Sequence, residues 1–105
     1  MDNADEILTF SENFGKGIGN STRFKMLNFL AGGPHTVGEI ADHLNISQST
    51  ASQHLLVLKN GQLITNEKRG LYVYYSLDVE YMLKGLKGIT AILEKKSLKM
   101  ERNEQ

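Results

Sequence analysis

The chain has 105 residues, of which 40% are hydrophobic and 23% charged, and its 12 basic and 12 acidic side chains give a formal net charge of zero. These values are ordinary for a globular protein, and a chain of this length buries one small core, so we expect a single domain over residues 1–105. There is no cysteine, which excludes disulfides and thiolate metal sites, and no apolar run approaches the roughly 20 residues that a transmembrane helix needs.

The charges are unevenly distributed along the chain. Residues 1–15 carry four acidic side chains and no basic one, whereas residues 16–33 carry Lys16, Arg23 and Lys25 and no acid. The chain after residue 15 holds all 12 basic residues against 8 acidic ones, a net charge of +4, so part of the surface can face phosphates. The acidic start also lacks a signal-peptide pattern, and we therefore expect a cytoplasmic protein without a membrane partner.

The first predicted helix covers residues 5–14. Ile7, Phe10 and Phe14 recur at i, i+3 and i+7 and form an apolar stripe that needs a covering surface. Three alternating glycines follow in residues 15–19, and each would cost a helix interior about 1 kcal/mol relative to alanine, so we expect a loop or a weak helical turn there. The segment GKGIGN lacks the Walker spacing and its final Lys-Ser/Thr, which argues against a phosphate loop.

A second helix is predicted from a cap at Asn20 or Ser21 to about residue 30. Its inner face is expected to consist of Phe24, Leu27, Leu30 and Ala31. The segment Gly-Gly-Pro at 32–34 ends this helix, because proline lacks the N–H that a continuing helix would use.

Residues 36–60 have the pattern of two short helices joined by a tight turn. Thr36 and Glu39 form a capping box, in which each side chain satisfies a backbone N–H of the first helical turn. An apolar stripe then predicts a helix that ends near residue 44, where Asn45 tolerates the left-handed conformation. This arrangement is typical of a helix-turn-helix.

The second helix of this pair, over about residues 48–60, is capped by Ser47 and precedes Gly61, a natural residue just past a helix end. At about 100° per residue, one side consists of Ala51, His54, Leu55 and Leu58. The opposite side is polar but uncharged and consists of Gln48, Ser49, Ser52 and Gln53. Gln can bond adenine bidentately and Ser can donate or accept, so this face suits base edges. A plain solvated helix face is the alternative interpretation.

A β-hairpin is predicted after this helix, within residues 63–77. Its strands cover residues 64–68 and 71–77, and the second strand alternates apolar and polar positions as a half-buried strand does. Arg69 and Gly70 lie at the predicted tip, where glycine in the second position favours a type I turn followed by a glycine bulge. Lys68 and Arg69 are the basic residues of this tip, and a merely soluble turn is the alternative.

Asp78 caps the last predicted helix, which runs to about residue 96 or beyond. Its apolar stripe is longer than a small core can cover and includes Val79, Met82, Leu83, Leu86, Ile89, Thr90 and Leu93. Together with the stripe of the first helix, it is most simply buried in a twofold dimer. Residues 1–15 and 78–98 are thus predicted dimerisation helices, and the tail at 99–105 is expected to fray. The predicted interface residues are Ile7, Phe10, Phe14, Met82, Leu83, Leu86, Ile89 and Leu93.

Several motifs occur in a fixed order: Arg23, the capping-box helix, SQSTASQHLLVL, GQLI and YYSL. This set resembles the ArsR/SmtB winged helix-turn-helix repressors and covers roughly residues 18–78. The resemblance implies a mainly α (α+β) winged helix-turn-helix fold, in which four helices precede a two-stranded β-hairpin wing and a fifth follows it. It also implies a homodimer built from the first and last helices. The residues it places against DNA are Gln48, Ser49, Ser52, Gln53, His54, Lys68 and Arg69. The family often has a second basic residue after the tip glycine, where this chain has Leu71.

Members of this family often bind a metal through Cys on the helix before the recognition helix, or through His and carboxylates on the last helix. This chain has no Cys, and its last helix has no His, so both kinds of site are absent. His35, His43 and His54 are not spaced to place two imidazoles on one helical face, so no metal or other cofactor is predicted. A mixed site with Asp42 or Glu39 is the alternative. No Ser, His and acid set has catalytic spacing, so an enzyme is not predicted.

The sequence therefore predicts a homodimeric transcriptional regulator that binds a pseudo-palindromic operator in double-stranded DNA, with repression implied by the resemblance. The rival hypothesis is a winged-helix protein-interaction module, which the neutral net charge and sparse basic residues leave open. A steep salt dependence of binding to duplex DNA distinguishes the two, because a protein contact lacks counterion release. A small-molecule effector is compatible with the first hypothesis, and no residue identifies one.

Overall fold

The chain folds into five helices and a three-stranded antiparallel sheet, in a computed structural model that describes residue 1 and residues 3–102. The elements in chain order are α1 (Ala4–Ile18), α2 (Ser21–Leu30), β1 (His35–Thr36), α3 (Val37–Leu44), α4 (Gln48–Asn60), β2 (Ile64–Arg69), β3 (Tyr72–Leu77) and α5 (Val79–Glu101). Four helices precede the hairpin and one follows it, so the predicted mainly α fold with a β wing is confirmed.

Every helix begins at a side chain that caps it. The caps are Asn3, Asn20, Thr36, Ser47 and Asp78, and each accepts a hydrogen bond from the backbone N–H three residues further on. The predicted capping box is complete, because the Glu39 carboxylate in turn accepts from the Thr36 N–H at 3.0 Å. Asn45 ends α3 with φ of 55°, in the predicted left-handed conformation. Local hydrogen bonding thus fixes where the helices begin.

Of the two alternatives predicted for residues 15–19, a loop or a weak helical turn, the loop is wrong, because α1 continues to Ile18. Gly17 is buried within this extension, where an added Cβ would lie 2.6 Å from Leu63 Cδ1 and 3.3 Å from Leu27 Cδ1. The missing side chain lets α1 approach the core closely. Burial of the surrounding apolar surface offsets the helix propensity cost of about 1 kcal/mol per glycine.

The core lies between α1, α2, α3, α4 and the start of β2. Its buried side chains are Phe10, Met26, Leu27, Leu30, Ile40, Ala41, Ala51, Leu55, Leu58, Leu63 and Ile64. Phe24 and Ala31 were predicted on the inner face of α2, but Phe24 is 53% exposed and Ala31 is also exposed. Met26 takes the inward position, because positions 23, 26, 27 and 30 share one side of a helix and that side packs on the core.

β3 is the central strand of the sheet, with β1 and β2 on either side. The edge strand β1 was not predicted; it has two residues, which pair with Tyr74 and Tyr75. The hairpin tip is also one residue further along than predicted. Arg69 pairs with Tyr72, which leaves Gly70 and Leu71 as a two-residue loop. Gly70, the first residue of this loop, has φ of 61°, and Leu71 does not have a positive φ, as in a type II′ turn, so the predicted type I turn with a bulge is wrong.

α1 packs antiparallel against α5 through two glycines. An added Cβ at Gly85 would overlap the Phe10 ring, and one at Gly88 would lie 3.1 Å from Ile7 Cγ1. Phe10 is fully buried here, with its ring centroid 5.3 Å from that of Phe14. The prediction that Phe10 lies in a dimer interface is therefore wrong, because the missing side chain of Gly85 admits its ring to the core of its own protomer.

α5 continues to Glu101, so residues 99–101 of the tail that was expected to fray are helical. Lys, Met and Glu are good helix formers, which accounts for the extension. Residues 103–105, the rest of that tail, lie outside the described residues. Among the helices that are described, none combines the length and the apolar character needed to cross a membrane.

Candidate nucleic-acid interface

The polar face predicted on α4 points to solvent. Ala51, Leu55 and Leu58 anchor the opposite side of the helix and are at most 1% exposed. The exposed residues include Gln48, Ser49, Ser52 and Gln53. Within the described chain, no side-chain hydrogen bond involves these four residues, and their donors and acceptors are available to a ligand. The helix is thus held by its apolar side and presents uncharged hydrogen-bonding groups on the other.

Two apolar residues extend this outward face and were not predicted in it. Leu56 is 58% exposed and Val57 is 37% exposed. They follow Gln53 at i+3 and i+4, so they continue its side of the helix. Apolar side chains in this position can contact thymine methyl groups in the major groove. Their spacing from Gln53 is the sequence signal for this position.

The wing carries its basic groups near the tip, but one of them is already paired. Arg69 donates from Nε and Nη2 to the same Glu67 oxygen at 3.3 and 3.1 Å. Its guanidinium carbon also lies 5.2 Å from the centroid of the Tyr74 ring. Lys68 is exposed, and no ion pair in the described part of the chain includes it. Leu71, in the tip loop, is 94% exposed.

His54 occupies the flank of α4 that faces away from the wing. It is half-buried, and its Nδ1 lies 3.3 Å from Nη1 of Arg23 on α2. The Arg23 Nε donates to the backbone oxygen of Lys16 in the last turn of α1 at 2.8 Å. One arginine therefore connects α1, α2 and α4. Arg23 was noted in the sequence only as part of a motif, and its contact with His54 was not predicted.

The segments that form this part of the surface contain no acidic residue. Neither residues 13–38 nor residues 43–66 include Asp or Glu. None of the ion pairs among the described residues involves Lys16, Arg23, Lys25 or Lys59. Lys16, Arg23 and Lys59, which lie on or beside α4, therefore have no ion-pair partner in the described part of the chain, although the chain as a whole carries no net charge.

The other two histidines stack on one aromatic ring. His35 and His43 are each nearly parallel to Phe29 with ring centroids 3.9 Å away, so they lie on its opposite faces. His35 Nδ1 also lies 3.4 Å from a Glu39 oxygen. A hydrogen bond from the Thr36 N–H, with further bonds to His35 and the Thr36 hydroxyl, lowers the pKa of Glu39 below its ordinary value. The described residues contain no group of three or more His, Asp or Glu positioned for a metal ion.

The remaining residues predicted for the dimer interface divide into two groups. Ile7, Phe14, Met82 and Ile89 are half-buried against their own protomer. Leu83, Leu86 and Leu93 are exposed on α5. Val79 is exposed on the same side of this helix, whereas the exposed Ile92 lies about 120° around the axis, in line with Gly85 and Gly88. α5 thus presents a row of apolar side chains that its own chain leaves uncovered.

Comparison with known proteins adds to this geometry. Residues 20–66 match the family model described as "Bacterial regulatory protein, arsR family". The transcriptional repressor SdpR of Bacillus subtilis is 44% identical over 63 residues, which cover 60% of this chain and 70% of that protein. HlyU of Vibrio cholerae, described as a transcriptional activator, is 36% identical over 62 residues, which cover 59% of this chain and 57% of that protein.

Solved structures have the same fold. The structure of HlyU from Vibrio cholerae has a TM-score of 0.64 and 30% identity, and covers 71% of this chain and 83% of that one. A solution structure from Mycobacterium bovis, Mb0332, has a TM-score of 0.70 and 27% identity, and covers 95% of this chain and 92% of that one. Mb0332 is described as a homodimeric winged helix-turn-helix DNA-binding domain and a possible ArsR-family transcriptional regulator.

Proposed function

The chain belongs to the arsR family of bacterial regulatory proteins, and on that premise we propose that it is a homodimeric, DNA-binding transcriptional repressor of the cytoplasm. The observation that carries the proposal is the outward face of α4, where uncharged hydrogen-bonding side chains lie on a helix anchored by buried Ala51, Leu55 and Leu58. The absence of acidic residues from residues 43–66 supports it, because a carboxylate on this helix would repel the DNA backbone. Repression is supported by the likeness to SdpR.

In this proposal α4 lies in the major groove and reads bases. Gln53 and Ser52 donate to and accept from base edges, while Leu56 contacts thymine methyl groups. The α3 helix and the turn after it hold α4 at its N-terminal end, where Ser47 caps it with a bond of 3.0 Å from the Thr50 N–H. Lys68 and Arg69 of the wing lie over the adjacent backbone or minor groove and contribute affinity rather than sequence discrimination.

A dimer would present two copies of α4 to one face of DNA. The apolar row on α5 and the homodimeric state of Mb0332 support a twofold assembly through α1 and α5. Two recognition helices related by a twofold axis read half-sites about one helical turn apart, roughly 34 Å. The operator is therefore expected to be a pseudo-palindrome. In this role the protein regulates transcription and catalyses no reaction.

The test compares cognate and random DNA. In vitro selection from random duplexes with wild-type protein yields a cognate sequence, and fluorescence anisotropy then measures both affinities across a salt series. Gln53→Ala should weaken cognate binding by roughly 1–3 kcal/mol per half-site, the value of a good bidentate base contact, and leave random binding and the salt slope nearly unchanged. Asn28→Ala on α2 removes an exposed amide outside the proposed interface and serves as the control.

Two outcomes would contradict the proposal. Equal losses on cognate and random DNA for a folded Gln53→Ala variant would show that α4 is not the reading helix. Failure of the wild type to bind any duplex with a steep salt dependence would favour the protein-interaction hypothesis, because such contacts release no counterions.

A further inference from the structure

The guanidinium of Arg23 sets the tautomer of a neighbouring imidazole. Guanidinium nitrogens carry only donors, so the contact of 3.3 Å between Nη1 and His54 Nδ1 requires Nδ1 to accept. A neutral imidazole carries its single proton on the other nitrogen when Nδ1 accepts. The Arg23 side chain is itself held in place, because its Nε donates to the Lys16 backbone oxygen at 2.8 Å. The arrangement therefore selects the tautomer in which Nε2 of His54 is the donor.

That Nε2–H group has no partner within the described chain and is accessible to solvent. Among the described residues, the contact with Arg23 is the one hydrogen bond of the His54 ring, and no buried side-chain nitrogen or oxygen there lacks a partner. Nε2 has no such bond, so it is not buried. The half-buried imidazole thus offers one oriented N–H group to solvent.

The position of this donor relative to α4 suggests what it binds. Ser52 and Lys59 line a groove against Asn66 of the wing, whereas Val57 lines a cleft with Lys16 of α1. His54 precedes Val57 by three residues and shares that second flank. A helix in the major groove has a sugar and phosphate backbone on each side. The wing faces one of them, and the junction of α1, α2 and α4 faces the other.

The charge around the donor fits an anion. Arg23 contacts the His54 ring and Lys16 lines the neighbouring cleft with Val57, and neither forms an ion pair among the described residues. On the basis of the function proposed above, we propose that the His54 Nε2–H donates to a phosphate of bound DNA, and that Arg23 is the positioning residue that holds this tautomer. The α1, α2 and α4 junction is then a second backbone anchor, opposite the wing.

Two isosteric substitutions test the role of His54. The amide nitrogen of Gln reaches the place of Nε2, whereas that of Asn reaches the place of Nδ1. His54→Gln should therefore bind DNA with nearly wild-type affinity. His54→Asn should bind about tenfold more weakly, on cognate and random DNA alike, because one hydrogen bond to a charged group is lost. The salt slope should stay nearly constant in both variants, because a neutral donor releases no counterion.

The role of Arg23 is tested by measuring the tautomer of His54, which a merely structural contact would not change. Nitrogen chemical shifts of the His54 imidazole in the free protein should identify a protonated Nε2 in the wild type. Arg23→Met, which keeps an unbranched apolar stem, should introduce the tautomer protonated at Nδ1. Arg23→Lys retains a cationic side chain that can only donate and should keep the wild-type shifts.

The outcomes separate this inference from the proposed function. Equal affinities of His54→Gln and His54→Asn, or a wild-type ring protonated at Nδ1, would overturn the inference while cognate binding and the Gln53→Ala effect remained intact. Loss of all DNA binding by the wild type would instead overturn the function on which it rests. An affinity difference between the two His54 variants on random as well as cognate DNA supports a phosphate contact.

Discussion

Three glycines set the distances between helices in this protein. Gly17 allows α1 to lie against Leu63 and Leu27, and Gly85 and Gly88 allow α5 to lie against α1. At Gly85 the neighbour is the face of the Phe10 ring, which has nowhere to move because it is fully buried. A methyl group there must displace a large core side chain. These glycines are needed for packing rather than for an unusual backbone conformation.

Gly85→Ala should therefore destabilise the protein despite the better helix propensity of alanine. Overpacking of a well-filled core costs about 1–3 kcal/mol. Gly15→Ala is a matched control, because Gly15 also lies within a helix but an added Cβ meets nothing within 4 Å. That variant should gain up to about 1 kcal/mol. Urea denaturation at fixed protein concentration measures both, and equal changes in the two variants would contradict the packing argument.

The capping box of α3 makes a pH-dependent contribution to stability. The Thr36 N–H, with His35 and the Thr36 hydroxyl, lowers the pKa of Glu39. A group with a lowered pKa in the folded state stabilises that state at pH values above its unfolded value, about 4.3 for Glu, and loses this effect as the pH falls through the folded value. Wild type should thus be more stable than Glu39→Ala at neutral pH.

This difference in the free energy of unfolding should shrink as the pH is lowered from 6 to about 3. Chemical denaturation of both proteins across that range measures it. A difference that stayed constant down to the lowest pH would show that the carboxylate charge of Glu39 contributes nothing to the cap.

At the level of the elements, the wing carries two basic residues, and one of them is paired with an acidic residue of the same strand. Glu67 and Arg69 lie two residues apart on β2, so their side chains are on the same face of the strand. The ion pair of 3.1 Å partly neutralises the residue best suited to contact a phosphate. Both side chains are exposed, so the pair is worth little to stability. Its larger effect is on the field that the wing presents to DNA.

Glu67→Gln should strengthen DNA binding, because it frees Arg69 and removes a negative charge from the wing. The gain should appear on cognate and random DNA alike, and the salt slope should steepen by about one unit for each wing that gains a phosphate contact. Glu94→Gln makes the same change of charge on α5, away from the wing, and is the control. Unchanged affinity and slope in Glu67→Gln would show that the wing does not contact the backbone.

Elements that depend on local hydrogen bonds were predictable from the sequence, and those that depend on packing were not. The capping box at Thr36, the left-handed Asn45 and the bounds of α4 follow from neighbours in the chain. The extension of α1 through Gly17 was not predictable, because its stabilising contacts come from residues distant in sequence. The end of α4 also differs from what a glycine just past a helix suggests. Gly61 has φ of −83°, and the positive φ, of 63°, is at Gln62.

The candidate site divides in the same way. The outward face of α4 follows from helical periodicity, which also accounts for the exposure of Gln53 and Ser52. The pairing of Arg69 with Glu67 and of Arg23 with His54 depends on side-chain positions that a one-dimensional pattern does not contain. The position of Phe10 was misassigned for the same reason, because its covering surface is a glycine on a helix 75 residues away along the chain.

The whole molecule has no net charge, yet its proposed role is to bind DNA as a dimer. Acidic residues are concentrated in residues 1–15 and beyond residue 66, whereas residues 43–66 contain none. The apolar row lies on α5, which packs on α1, whereas the polar face lies on α4, whose opposite side is buried in the core. One surface can thus be buried against a second copy while the other faces DNA.

Leu86→Glu should separate the dimer without unfolding the protomer. Leu86 is 36% exposed in the single chain, so a carboxylate there remains hydrated in the monomer but would be buried in an α5 interface. Ala91→Glu adds the same charge on the same helix, about 140° away around its axis, and should leave the dimer intact. Light scattering should report about twice the chain mass of 11.7 kDa for wild type and Ala91→Glu, and one chain mass for Leu86→Glu.

The Leu86→Glu monomer should also bind a palindromic operator far more weakly, because the two half-sites no longer contribute to one complex. A wild type that stays monomeric at micromolar concentration, or a Leu86→Glu protein that stays dimeric, would leave the apolar row of α5 without the role assigned to it.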